Sequence, residues 1–301
     1  MKTVFTFSFN RGNPLIWKYI DAPIMINALD APTSFKEREE ITELWVDSGG
    51  YQVLTRNKRL NPAEIAKRQK ALVSDYAIMP DNPSNPEESI RWYIKYLNCE
   101  ERPEKTLPVI HTSWREKHVK KLITIIKKYG LDSFVALGSA ANLMTYPFKP
   151  RNILVFLRSY NLVSKFFDRF HALGMGGYSL LPILVYLNFY SFDTASWIHD
   201  AKFGLLRVGC KAVSLRTRKR DDRNAKMQDE EITAQLNISE ITLEIMKRNT
   251  FDGFYLRAIY NAKNLINYVN MLIKLDKNEL LNKIRYSFIR DRLKSIHSEN
   301  S

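Results

Sequence analysis

Three stretches of the chain end an apolar run on an aspartate. They are Leu44-Trp45-Val46-Asp47-Ser48-Gly49-Gly50-Tyr51-Gln52, Tyr76-Ala77-Ile78-Met79-Pro80-Asp81-Asn82-Pro83 and Ser191-Phe192-Asp193-Thr194. A carboxylate so placed can accept N–H bonds, pass a proton or attack an electrophilic carbon. Glycines beside it let backbone N–H groups approach a ligand, and an aromatic ring can stack on a flat base. Each string alone also fits an ordinary turn, where Asp, Asn, Pro and Gly supply the geometry. Three carboxylates closing three parallel strands would meet at one mouth, and that convergence favours chemistry over turn geometry.

Other residues add to this set. Phe170-His171-Ala172-Leu173-Gly174-Met175-Gly176-Gly177 joins an apolar run to a helix expected from Tyr178, and free N–H groups at such a loop can receive an anion, although tight packing explains many glycine clusters. Leu137-Gly138-Ser139 ends another run with exposed backbone. His111 falls at a strand end beside the expected pocket, whereas His171 falls inside a strand and reads as structural. Arg216-Thr217-Arg218-Lys219-Arg220 is the densest basic cluster, suited to phosphates or, with Asp221 and Asp222, to a solvated loop.

The elements that must carry these residues alternate. Apolar runs bounded by turn residues predict strands near 5–9, 24–27, 44–47, 76–79, 107–111, 134–138, 169–173, 189–193 and 211–215. Helical spacing lies between them at 62–73, 86–97, 115–129 and 152–165. Repeated β-then-α order implies a parallel sheet, and the polar strand ends favour a (β/α)8 TIM barrel over an open doubly wound sheet, for which no GxGxxG fingerprint is present. Nine runs exceed the eight staves of such a barrel, so one is expected outside it. Residues 1–215 are expected to form the barrel. Residues 216–301 are expected to hold the basic loop and a helical extension at 232–248, 258–275 and 279–296, with Leu280, Ile284 and Phe288 as one apolar stripe.

Composition bounds the partners. With 301 residues, 45% of them hydrophobic, the chain can bury a large core, and its net charge of +14 suits either a polyanionic partner such as nucleic acid or a Lys-rich surface that only aids solubility. The excess is spread along the chain, 29 basic against 20 acidic side chains up to residue 213 and 17 against 12 beyond. Cys99 and Cys210 stand alone, so neither a disulfide framework nor a zinc site is indicated. No stretch reads as a signal or membrane span, and the expectation is a soluble, cytoplasmic protein without a membrane partner.

In this order and spacing, residues 44–197 resemble the tRNA-guanine transglycosylase superfamily, (β/α)8 barrels that exchange guanine in nucleic acid for a 7-deazaguanine base. The family's Asp-Ser-Gly-Gly-Phe-Gln signature is matched by Asp47-Ser48-Gly49-Gly50-Tyr51-Gln52, its Leu-Met-Gly-Val-Gly segment by Ala172-Leu173-Gly174-Met175-Gly176, and its Phe-Asp-Cys motif by Phe192-Asp193-Thr194. The resemblance implies Asp193 as nucleophile and Asp47 as acid/base. It implies Asp81 on the N–H edge of the base, Tyr51 and Leu173 on its faces, the Gly138 backbone at its carbonyl, and Ser48, Gly49 and His111 in the same pocket. Gly176, Arg216, Arg218, Lys219 and Arg220 would meet the nucleic-acid backbone, and no cofactor or metal is implied. The sequence departs from the family in three places: the zinc subdomain has no counterpart, a family glutamine is His111, and the Pro-Thr-Arg stretch after the nucleophile is Ala195-Ser196-Trp197. These departures favour DNA as the substrate, with tRNA and a non-catalytic binding role as the alternatives.

Overall fold

The computed structural model describes residues 1–32, 35–50, 60–99, 103–131, 133–138, 151–215 and 227–300. Nine strands form one sheet: β1 (Lys2–Thr6), β2 (Ile24–Asn27), β3 (Leu44–Asp47), β4 (Tyr76–Ile78), β5 (Thr106–Leu107), β6 (Val109–His111), β7 (Phe134–Gly138), β8 (Arg169–Ala172) and β9 (Ser191–Thr194). The order is β5-β4-β3-β2-β1-β9-β8-β7-β6, and every pairing is parallel. The two end strands are separated in sequence by Pro108 alone. Leu107 accepts from the Met79 N–H on one side and Pro108 accepts from the Ala136 N–H on the other, so the sheet curls into a nearly closed barrel.

Helices cover the outside: α1 (Pro62–Ala71), α2 (Pro86–Leu97), α3 (Glu116–Tyr129), α4 (Arg151–Val163), α5 (Leu181–Tyr186) and α6 (Ser196–Lys202). Their starts follow from local chemistry. Asn61 and Asn85 cap α1 and α2 by accepting N–H bonds from Ala63 and Glu88, and the proline after each has no N–H to leave unpaired. The crossovers after β1 and β2 carry only 3-10 turns, Ile16–Lys18 and Lys36–Glu40. Alternation along the strands sorts side chains between two cores. Val4, Met25, Trp45, Ile78, Val109, Phe134 and Ala136 fill the barrel interior, while Phe5, Ile24, Ile26, Leu44, Val46, Ile110, Val135 and Phe192 pack under the helices.

The ninth predicted strand lies outside the barrel. β10 (Leu205–Val208) and β11 (Lys211–Ser214) make an antiparallel hairpin whose Leu206, Val208 and Val213 share a small core with Ile232, Leu243 and Met246. The hairpin therefore packs with the carboxyl-terminal helices α7 (Asp229–Leu236), α8 (Glu240–Lys247), α9 (Phe251–Ile273), α10 (Lys277–Lys283) and α11 (Ser287–Asn300). Two polar side chains in α9 stitch this part to the barrel. Asn261 binds the Trp197 and Leu205 carbonyls and the Arg207 N–H, and the buried Arg257 donates to the carbonyls of Ala201, Met246 and Arg248.

Three expectations are corrected. The first strand runs 2–6, not 5–9: the Phe7 N–H still donates to the Met25 carbonyl, but Asn13 binds Ser8 and Gly12 takes a positive φ, turning the chain off the sheet there despite its alternating phenylalanines. The predicted helix 232–248 is two helices, broken where Asn237 adopts φ +51° and Ser239 caps a new start. The helix predicted over 279–296 is also two, so Leu280 and Ile284 are buried whereas Phe288, beyond the break, is exposed. Among the described residues, no helix is long and apolar enough to cross a membrane.

Candidate active site

The strand register assembles the site. Two positions beyond the interior residues Val4, Met25, Trp45, Val109 and Ala136 come Thr6, Asn27, Asp47, His111 and Gly138, which the period of two turns toward the same interior at the carboxyl ends of the strands. Asp193 follows Ser191 in the same way, and Asp81 sits just past β4. Trp45 forms the floor, its indole 4.8 Å from the His171 ring at an interplanar angle of 32°.

Asp193 is held on both oxygens. Oδ1 accepts from the Gly174 N–H at 2.5 Å and from His171 Nε2 at 3.2 Å, and Oδ2 accepts from the Thr6 hydroxyl at 2.9 Å. Asp81 is buried, and its Oδ2 lies 2.7 Å from His111 Nε2. Two glycines make room for this pair. A Cβ on Gly50 would stand 2.5 Å from Asp81 Oδ1, and one on Gly138 would stand 2.9 Å from the His111 ring. Asp47, half-buried, accepts from the Gly49 N–H at 3.1 Å and from Asn27 Nδ2 at 3.4 Å. Desolvation pushes its carboxyl up to about 7, and the negative charges of Asp81 and, less strongly, Asp193 add to the rise against the Gly49 and Ser48 N–H donors. The site thus combines a carboxyl poised to give or take a proton near neutrality with two carboxylates fixed by neighbouring donors.

The remaining expected site residues fall as follows. Ser48 is buried, and its hydroxyl donates to the Met79 carbonyl at 3.3 Å. Gly49 has φ +87° and would drive a Cβ into Leu29, so glycine is needed there to bring its N–H to Asp47. Leu173 is half-buried against the interior cluster at the mouth. Gly176 does not offer a free N–H: it donates to the Asp193 carbonyl at 3.1 Å, and a Cβ there would run into Thr194, so close backbone approach accounts for this glycine. Tyr51, Arg216, Arg218, Lys219 and Arg220 lie outside the described residues. The hairpin before the basic cluster is tied to α9, where the Gly209 N–H donates to Asn264 and the carbonyl of Leu205, the partner of Ser214, accepts from Asn261.

His171 belongs to the site, although its place inside a strand read as structural. It is fully buried, with Nδ1 2.9 Å from the Ser191 hydroxyl. Its place follows from register, which no local pattern shows: β8 and β9 align His171 with Ser191, two residues before Asp193. Thr6 and Asn27 went unnoticed for the same reason. Two cavities, of 440 and 260 Å³, open at the opposite end of the barrel around Lys2 and contain none of these residues. Among the described residues no three His, Cys, Asp or Glu side chains are grouped to hold a metal, and Cys99 and Cys210 are both exposed, one after α2 and one in the hairpin turn.

No family model matches the chain. A curated protein, uncharacterized protein 306 of Sulfolobus islandicus rod-shaped virus 1, is 28% identical over 196 residues, which is 61% of this chain and 57% of that protein. The chain thus spans little more than half the length of this relative.

Proposed function

We propose that this chain is a base-exchange transglycosylase that replaces guanine in DNA with a 7-deazaguanine through a covalent aspartyl-glycosyl intermediate. The carrying observation is the convergence of Asp47, Asp81 and Asp193 at one mouth of the sheet, each in a different electrostatic setting. In this reading the sheet is a (β/α)8 barrel in which β5 and β6 are two halves of one stave interrupted at Pro108, and its active mouth lies at the carboxyl ends of the strands.

The reaction needs two displacements. Asp193 attacks the anomeric carbon as the bond from sugar to purine breaks, the electron pair leaves with the base, and Asp47 gives that base a proton. The incoming base then passes its N–H proton to Asp47 and bonds to the anomeric carbon, and Asp193 departs with the electron pair of the ester. An acid that half-ionises near pH 7 suits both directions. Asp81, beside His111, accepts N–H bonds from the guanine-type edge, and Leu173 packs against a face of the base. In duplex DNA the nucleotide must first swing out, at a cost of about a few kcal/mol, and the basic surface holds the backbone meanwhile.

The test is incorporation of labelled guanine into double-stranded DNA, single-stranded DNA and tRNA by the wild type and by Asp193→Asn. Exchange on DNA is expected for the wild type, with binding but no exchange for the variant. Exchange on tRNA alone would reassign the substrate. Guanine release without incorporation would make the protein a base-excising glycosylase, and binding without either would refute catalysis.

A further inference from the structure

We infer that His171 is a positioning residue that controls how readily Asp193 leaves the glycosyl-enzyme. The inference rests on the reading of Asp193 as nucleophile. It starts from the unequal loading of the carboxylate among the described residues: Oδ1 carries two donors, Gly174 N–H and His171 Nε2, whereas Oδ2 carries the Thr6 hydroxyl. The less encumbered Oδ2 forms the bond to the anomeric carbon, and Oδ1 becomes the carbonyl oxygen of the ester. A carboxylate has no proton to offer, so the proton in the bond to His171 sits on Nε2, and Nδ1 faces the Ser191 hydroxyl. Trp45 against one face and complete burial keep the ring in this pose.

The consequence follows from where the charge resides. In the free carboxylate Oδ1 shares a full negative charge, in the transition state a fraction of it, and in the ester almost none. A hydrogen bond to a charged acceptor is stronger than one to a neutral carbonyl, so His171 stabilises the free carboxylate most and the ester least. Removing the donor raises the starting state more than the transition state, and the transition state more than the ester. Formation of the covalent species is therefore not slowed, its resolution by an incoming base is slowed, and the adduct accumulates by roughly five- to tenfold at fixed guanine. A histidine that only filled space would, when replaced, depress both steps together. Glutamine reaches the Nε2 position with an N–H donor and should restore the wild-type balance.

The experiment uses the full chain and an end-labelled, guanine-containing DNA duplex. Adduct is trapped on denaturing gels and then chased with free guanine. His171→Phe is expected to raise the equilibrium adduct fraction and lengthen the chase without slowing formation, and His171→Gln to behave as wild type. Equal slowing of both steps, an unchanged adduct fraction, or His171→Gln resembling His171→Phe overturns the inference. If His171→Phe is recovered unfolded, Ser191→Ala carries the test by removing the hydroxyl that faces Nδ1. A smaller rise in adduct then supports the role, and no rise overturns it. A wild type that binds the duplex yet forms no adduct overturns the nucleophile reading, and this inference with it. A wild-type adduct whose balance ignores His171 overturns this inference alone.

Discussion

Replacing Asp47 by asparagine should stabilise the protein, and increasingly so as pH rises. The carboxyl, ordinarily near 3.8, is pushed up to about 7 by desolvation and by the charges of Asp81 and Asp193. Below about pH 4 the folded and unfolded chains both hold the proton, and the group contributes nothing to pH dependence. Between about pH 4 and pH 7 the unfolded chain releases it while the folded chain keeps it, so stability falls with pH. Above about pH 7 the loss is complete. At about 1.4 kcal/mol per pH unit the full penalty approaches ~4 kcal/mol, and solvent reaching the half-buried group reduces it to roughly 2–4 kcal/mol. Asparagine cannot ionise, and its carbonyl can still accept from the Gly49 N–H and Asn27 Nδ2. Urea unfolding of both proteins from about pH 4 to about pH 9 measures the gap, and pH effects from distant groups cancel in the difference. The gap should open between pH 4 and pH 7 and then stay constant. A gap independent of pH, or one that closes as pH rises, would show that Asp47 is an ordinary solvated carboxylate and would remove the argument for it as the proton carrier.

Asp81→Asn should keep an acceptor for His111 Nε2 but present an N–H where the base presents its own. Guanine affinity, read by calorimetry, should fall by one to two decades, the cost of about 1.5–3 kcal/mol for a charge-assisted bond, with little change in melting. Gly50→Ala should have a similar effect by a different route, since its Cβ would stand 2.5 Å from Asp81 Oδ1 and displace the carboxylate; retained base affinity would argue against Asp81 as the recognition group. Neutralising Arg216, Arg218 and Arg220 together should flatten the slope of log affinity against log salt by up to about 3 and leave base choice unchanged, because each phosphate contact contributes roughly 0.9 to that slope. An unaltered slope would place the binding face elsewhere.

The barrel and its three aspartates were legible because each rests on a local signal. A β strand announces itself by four or five apolar residues between turn formers, and an aspartate that closes such a run lies at the strand's end whatever the neighbours do. The two end strands β5 and β6 read as one run, 107–111, since Pro108 interrupts hydrogen bonding without interrupting the apolar pattern. Helix ends were harder where a single residue decides them: Asn237 at φ +51° divides one periodic stretch into two helices, and nothing in the periodicity marks it. The hairpin strand 205–208 was missed because Leu205-Leu206-Arg207-Val208 is short and its partner follows immediately.

The partners of the aspartates depend on register between strands distant in sequence, which no local pattern contains. Thr6 meets Asp193 across 187 residues, and His171 reaches it only because β8 and β9 align His171 with Ser191. A shift of one residue in that pairing would send His171 to the helix-facing side and take its donor from Asp193 Oδ1. The carboxylates therefore define which chemistry is available, whereas the register defines how each is tuned. It desolvates Asp47, sets two further carboxylates beside it and so raises it, gives Asp81 an imidazole, and gives Asp193 three donors among the described residues. Identical side chains at the ends of neighbouring strands thus acquire different roles from interactions that exist only once the barrel has formed.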